Sequence, residues 1–320
     1  MAPFEVLMPL PGMPEIATRL ERRVTLHKLW EVADRQATLA EIAPNVRAVV
    51  STWATARVDA ALMRRLPKLE IVVGFGVGYD HIDAAWAGRH GIVVTHTPGV
   101  LDADVADLAI ALTLAATRRL PQAERHLRDG RWPNGAFPLT ASLQGRVMGV
   151  LGLGRIGKAI ARRAEAFGLN IAYHGRQKQD GVAYPYYATP LALAEACDIL
   201  MVAAPGGPET RHVVDARVLA ALGPNGVLVN IARGSLVDER ALIAALSDGV
   251  ILAAGLDVYE REPSVPAELM ALDNAVLLPH VGSATGQTRA AMANLVVDNL
   301  LSWIDGEGPL TPTPETPWRR

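Results

Sequence analysis

Short apolar runs alternate with segments whose apolar residues recur at helical spacing along nearly the whole chain. Strands are predicted at 5–8, 46–51, 69–73 and 92–95, and a second series at 147–151, 169–173, 199–202, 227–230, 252–256 and 275–278. Helices are predicted at 60–66, around 82–86, from Asp104 to Ala116, at 158–167 and at 285–304. Strands alternating with helices imply parallel pairing, hence an α/β chain with two doubly wound parallel-sheet domains. Thr97-Pro98-Gly99-Val100 reads as the crossing between them, and the last helix as a return to the first. The expected division is a discontinuous flavodoxin-like domain, 1–99 with 285–320, and a Rossmann domain, 100–284, inserted in it. The Ala-rich surface of the helix from Asp104 suits close packing between domains or between subunits. Residues 130–138 read as an irregular loop carrying Trp132 and Phe137, of the kind that closes over a site or embraces a partner chain. The Pro-rich stretch 308–314 reads as an extended tail.

Within the second series, Gly152-Leu153-Gly154-Arg155-Ile156-Gly157 stands between a predicted strand and a predicted helix. That context is what a dinucleotide fingerprint requires. Gly152 would allow the tight turn, Gly154 the close approach of backbone to a pyrophosphate, and Gly157 close packing of helix on strand. The helix N-terminus would offer N–H groups to the phosphates. The next strand runs into His174-Gly175-Arg176-Gln177-Lys178, where an NAD site usually carries an acid for the ribose hydroxyls, roughly 20 residues past the first glycine. Here Arg176 and Lys178 stand instead. They are either ordinary solvated charges or the partners of a 2′-phosphate, and the second reading predicts NADPH in preference to NADH.

Other polar segments follow predicted strands, at the edge where ligands bind in such sheets. Gly74, Gly76, Val77 and Gly78 form either a plain glycine-rich turn or a backbone nest for a carboxylate. Trp53, at the end of a neighbouring strand, would wall the same crevice or pack in the core. Pro205 closes the segment after 199–202. Arg233, Glu262 and His280 follow three further strands, so different turns would bring them together. Arg233 is either a surface ion-pair partner or a guanidinium facing the carboxylate and ketone oxygens of a 2-oxo acid. His280 is either structural or a proton donor, a task suited to a group that titrates near neutrality. A carboxylate from Glu262 bonded to it would favour imidazolium.

Composition narrows the classes without changing this picture. The chain has 320 residues, half of them hydrophobic, enough for two cores. Its formal net charge of −2 supplies no field toward nucleic acid or membrane. A single cysteine, Cys197, excludes an internal disulfide framework and reads as a buried thiol. The N-terminal residues lack a basic segment followed by an apolar core, and no apolar run approaches a membrane span, so a cytoplasmic protein is expected. No metal-ligand spacing and no G-x-S-x-G elbow occurs.

Taken as a set, the glycine turn, Asn230-Ile231-Ala232-Arg233-Gly234, Gly255 to Pro263 and Leu278-Pro279-His280-Val281-Gly282-Ser283 resemble the D-isomer-specific 2-hydroxyacid dehydrogenases. The likeness extends to Val72 through Asp80 and to Thr97 through Leu101. It implies that Arg233 binds and polarises the 2-oxo acid, His280 protonates the ketone oxygen and Glu262 holds His280 charged. It also implies that Asp257 meets the nicotinamide carboxamide, that Ile231 lines its pocket, and that residues 76–78 grip the substrate carboxylate. His174-Gly175-Arg176 and 137–140 resemble the NADPH-using glyoxylate/hydroxypyruvate and hydroxyphenylpyruvate reductase branch. His96, where an Asn is common, and Gly206-Gly207-Pro208 depart from the family pattern and leave the substrate open: glyoxylate, hydroxypyruvate, a hydroxyphenylpyruvate or 2-ketogluconate. The expected assembly is a homodimer. A rival reading on the same fold is a dinucleotide-sensing corepressor with vestigial turnover. A phosphoglycerate dehydrogenase would want an acid near position 174, which is absent.

Overall fold

The computed structural model describes residues 3–52 and 57–318; Trp53 lies outside them. The chain divides into two compact units, Met1–Leu101 with Thr285–Arg320, and Asp102–Ala284.

In the first unit, β1 (Glu5–Met8), β2 (Thr25–Lys28), β3 (Val46–Ser51), β4 (Ile71–Gly74) and β5 (Val93–Thr95) form one sheet in the order β2-β1-β3-β4-β5, every pair parallel. That is the 2-1-3-4-5 order of flavodoxin-like folds. β4 and β5 are buried throughout, as strands covered on both faces must be, and their sequences are accordingly almost unbroken apolar runs. β2 was not evident from the apolar pattern, because it is a polar edge strand with no fully buried position.

The opposite edge, β5, is covered by the C-terminal segment. Thr313 donates its N–H to the Val94 carbonyl (2.8 Å), and the Thr316 hydroxyl accepts from Val94 N–H (3.0 Å) and donates to the Val94 carbonyl. The stretch expected as an extended tail is therefore docked, with Thr313 and Thr316 buried. It leaves that sheet edge without open hydrogen-bonding groups for another chain. The helix Gly286–Ile304, capped by the Thr285 hydroxyl on Thr288 N–H, leads into it.

The second unit contains β6 (Val147–Leu151), β7 (Asn170–His174), β8 (Ile199–Val202), β9 (Val227–Asn230), β10 (Ala253–Leu256) and β11 (Ala275–Leu277), all parallel, in the order β11-β10-β9-β8-β6-β7. Beyond β7, Tyr186 makes a single parallel bridge to Tyr173. A Rossmann sheet runs 3-2-1-4-5-6, so the third strand survives here as one bridge. The chain reverses direction across the sheet between β6 and β8, the place where dinucleotides sit in such folds.

The Ala-rich helix Asp102–Arg118 lies inside this unit, packed on the helix Arg155–Ala166 and on β9 and β10, with Val105, Ala106, Ala109, Ile110, Leu112 and Ala116 buried. Gly255 in β10 makes room for it, since a Cβ there would come within 3.2 Å of the Leu112 carbonyl. Its small residues thus serve packing within the unit. A further helix, Leu120–Arg128, carries only three apolar residues, Leu120, Ala123 and Leu127, and none of its residues is buried. No helix among the described residues is long and apolar enough to cross a membrane.

Candidate active site

The glycine turn follows β6. Gly152 has φ +102°, and a Cβ there would sit 2.5 Å from the Ala204 nitrogen in the segment after β8. Only glycine suits both the backbone conformation and the contact. A Cβ on Gly157 would overlap the Gly152 carbonyl, so this glycine sets the distance between helix and strand. Gly154 is exposed and faces open space, and no side chain caps the twelve-residue helix that begins at Arg155. Its first N–H groups and the positive end of its dipole are available to a pyrophosphate. Leu153 is buried and Ile156 half-buried; Arg155 is exposed and paired with Asp102 at 2.8 Å. These features fit a dinucleotide.

At the end of β7, the His174 ring donates from Nδ1 to the Tyr187 carbonyl (2.8 Å), and the Gly175 carbonyl accepts from the Tyr186 hydroxyl (3.3 Å). Arg176 and Lys178 are exposed, and no carboxylate among the described residues pairs with either. Gln179, which the sequence pattern did not single out, anchors this loop: its Nε2 donates to the Leu153 carbonyl (2.9 Å), and its N–H to the Tyr173 hydroxyl (2.8 Å). Pro205 is exposed, and its carbonyl accepts from the Thr210 hydroxyl (2.8 Å). Ile231 is buried after β9.

Arg233, Glu262 and His280 come from the ends of β9, β10 and β11 in this same unit. His280 Nδ1 lies 2.6 Å from Glu262 Oε2, with the two side chains 43% and 31% exposed. The other Glu262 oxygen accepts the Tyr259 N–H (3.0 Å). Burial works against ionising Glu262, but the His280 bond and charge, the Tyr259 N–H and the Arg233 charge outweigh it, holding the carboxyl below the usual range. The Arg233 turn is braced by Asn230, whose side chain accepts from Ala232 N–H (3.0 Å) and donates to the Arg233 carbonyl (2.9 Å). Arg233 itself donates to the Ala232 carbonyl (2.8 Å). Gly234 lets this turn press against the next one, since a Cβ there would overlap the Tyr259 carbonyl group.

His280 has φ +54°, uncommon for a residue with a side chain. Asp257 holds the strained turn: Oδ1 accepts from Val281 N–H (2.7 Å) and Oδ2 from Gly282 N–H (2.8 Å). Burial pushes the Asp257 carboxyl up, opposed by those two N–H groups. The Tyr259 hydroxyl donates to the Leu278 carbonyl (2.9 Å), two residues before His280, and burial pushes that phenol up to about 12. Cys197 is buried and, again by burial, pushed up to about 12, so it presents a thiol and not a nucleophile.

In the first unit, Gly76, Val77 and Gly78 form a half-buried loop after β4. Gly76 exchanges bonds with Thr97, its N–H to the Thr97 hydroxyl (3.0 Å) and its carbonyl from Thr97 N–H (2.8 Å). The N–H groups of Val77 and Gly78 have no acceptor among the described residues. Two adjacent amide donors of this kind suit a carboxylate.

Comparison with known proteins places this architecture. The D-isomer specific 2-hydroxyacid dehydrogenase NAD binding domain matches residues 110–282. The chain belongs to the D-isomer-specific 2-hydroxyacid dehydrogenase family. Within that family it is 49% identical to glyoxylate/hydroxypyruvate reductase A of Arabidopsis thaliana over 312 residues, covering 98% of this chain and 99% of that protein. It is 47% identical to hydroxyphenylpyruvate reductase of Plectranthus scutellarioides over the same shares. Among solved structures, an NADPH-dependent glyoxylate/hydroxypyruvate reductase from Sinorhizobium meliloti, in complex with NADP and malonate, matches with a TM-score of 0.93 and 48% identity, covering 100% of this chain and 99% of that one.

Proposed function

We propose that this protein uses NADPH to reduce a small 2-oxo acid of the glyoxylate/hydroxypyruvate type to the D-2-hydroxy acid. The observation that carries the reading is the 2.6 Å bond between His280 Nδ1 and Glu262 Oε2. The reduced nicotinamide, when bound, supplies the hydride. With Nδ1 engaged by Glu262, His280 holds the transferable proton at Nε2 and gives it to the ketone oxygen. Arg233 binds the oxo acid, and its fixed charge stabilises the oxygen as negative charge develops there. The Val77 and Gly78 amides take the carboxylate. Asp257 retains acceptor capacity beyond its two backbone bonds, which suits the nicotinamide carboxamide, and Ile231 supplies an apolar wall. Exposed Leu120, Leu127, Trp132 and Leu139 in the second unit support a homodimer.

The NADPH preference is assigned to Arg176 and Lys178. Arg176→Ala is expected to raise KM for NADPH about tenfold, the effect of one charge-assisted hydrogen bond, while KM for NADH stays put. Equal rises for both cofactors would remove the 2′-phosphate role. Steady-state rates on glyoxylate, hydroxypyruvate, hydroxyphenylpyruvate and 2-ketogluconate, each with both reduced cofactors, test the substrate reading; the two smallest acids are expected to give the highest kcat/KM with NADPH.

The Glu262 arrangement also sets a stability profile. Its carboxyl is held low in the folded protein, so its contribution is fully present above the ordinary glutamate range and is lost as pH falls through the lower, folded value. As pH falls below the ordinary glutamate value of 4.5, the Tm of the wild type should therefore fall more steeply than that of Glu262→Gln. Parallel curves would show that the pair is no more favourable folded than unfolded.

A further inference from the structure

The amides that would grip a substrate carboxylate are aimed by bonds made on the far side of their own peptide groups. A trans peptide is planar, so its N–H points opposite to its carbonyl. The Gly76 carbonyl, fixed by Thr97 N–H (2.8 Å), therefore sets the direction of the Val77 N–H. In the next peptide, the Val77 carbonyl is fixed by His96 Nδ1 (2.9 Å), and this sets the direction of the Gly78 N–H. A carbonyl can only accept, so Nδ1 carries the proton in this bond.

What holds His96 is the C-terminal segment. The Thr311 hydroxyl donates to the His96 carbonyl (2.5 Å), and the Thr311 carbonyl accepts from His96 N–H (3.3 Å). Thr311 is itself fixed by Asn299, a wholly buried side chain whose Nδ2 donates to the Thr311 hydroxyl (2.9 Å) and whose Oδ1 accepts the N–H groups of Leu310 and Thr311 (3.0 Å each). A few residues on, the Glu315 carboxylate accepts from the hydroxyl of Tyr79 (3.0 Å), whose ring packs edge-on against His96 with centroids 5.2 Å apart. The segment presses closely on the helix Ala84–Arg89 as well, since a Cβ on Gly88 would overlap the Glu315 carbonyl. Of these contacts only the His96 N–H bond to Thr311 belongs to the sheet edge, where with Thr313 N–H on Val94 it makes the antiparallel bridge of Thr95 to Pro312; the side-chain bonds of Thr311, Asn299, Tyr79 and Glu315 lie outside it.

We propose that the C-terminal segment 311–315 is a strap that positions the substrate-gripping loop, acting through His96 on the Val77 carbonyl. His96 is thus a positioning residue that fixes the aim of the Gly78 amide, and Thr311 is the residue that fixes His96. The proposal rests on the reading that the loop holds the carboxylate of a 2-oxo acid. Because the carboxylate is held alike in the ground and transition states, loosening the loop acts on KM and spares kcat.

His96→Ala and Thr311→Val are expected to raise KM for glyoxylate about fivefold each, the share of one orienting hydrogen bond, with kcat and the Kd for NADPH within twofold of wild type. His96→Asn should restore KM, because an asparagine amide places a donor close to where the imidazole Nδ1 stands. Thr311→Ser, which keeps the hydroxyl, should do the same at its position. A merely structural role would instead lower Tm and leave KM unmoved. Unchanged KM in His96→Ala, KM and NADPH Kd rising together, or failure of His96→Asn to restore KM would each overturn the strap. If Thr311→Val does not fold, the His96 variants alone decide. A wild type with no saturable glyoxylate reduction would overturn the underlying reading instead, a result separate from unchanged variants of an active enzyme.

Discussion

Replacing His280 by alanine should lower kcat for glyoxylate reduction roughly a thousandfold, within the span usually supplied by a positioned general acid, while NADPH binds as before. The expectation follows from the placement of the ring. His280 is held at a strained φ of +54° by Asp257 on the two following amides and by Glu262 on Nδ1. Backbone strain of this sort persists only where surrounding contacts over-determine it. The ring is also 43% exposed, open to a ligand, whereas a core histidine would be enclosed. Since the glycine turn stands on β6 and the His280 turn on β11, loss of the imidazole should leave dinucleotide affinity within about twofold. Titration of NADPH fluorescence and steady-state kinetics on the same preparation separate the two effects. Undiminished turnover would take His280 out of the mechanism.

The second large effect is expected at a residue with no side chain. Gly234→Ala should lower kcat/KM about a hundredfold, because a displacement near 1 Å is enough to cost that much in a positioned site. The added methyl would overlap the carbonyl carbon and oxygen of Tyr259. Both are backbone atoms, so no flexible side chain can swing aside and one of the two turns must move. Either movement shifts the Arg233 turn relative to the turn that carries Glu262. Measured kcat/KM within threefold of wild type, with unchanged Tm, would show that the two turns need not touch. The variant also distinguishes the role of the turn from that of the guanidinium, whose chemistry it leaves unchanged.

The parts of this arrangement that were legible in the sequence are those written in apolar runs and glycines. Strand β8, buried at every position, coincides with an unbroken apolar run and β9 with one that breaks only at Asn230, and the glycine turn opens the helix it was expected to open. Arg233, Glu262 and His280 were identifiable because each follows such a run. Polar devices left no comparable trace. Gln179, Asn299 and Thr311 act through hydrogen bonds to partners 26, 12 and 215 positions away, and no local pattern encodes such partners. β2 holds one apolar residue, Leu26, and the helix Leu120–Arg128 only three, Leu120, Ala123 and Leu127, too few for a periodic pattern to stand out. Asp257 shows a different limit. Its place after β10 was visible, but its grip on the His280 turn depends on two amides brought close by strand pairing of β10 with β11.

The most direct test of the account is to add glyoxylate to the purified protein with NADPH and follow the absorbance of the reduced nicotinamide. The account predicts a saturable, protein-dependent loss of NADPH, with kcat/KM at least tenfold lower when NADH replaces it. Tight NADPH binding with no turnover on glyoxylate or hydroxypyruvate would contradict it and favour a protein that senses the dinucleotide.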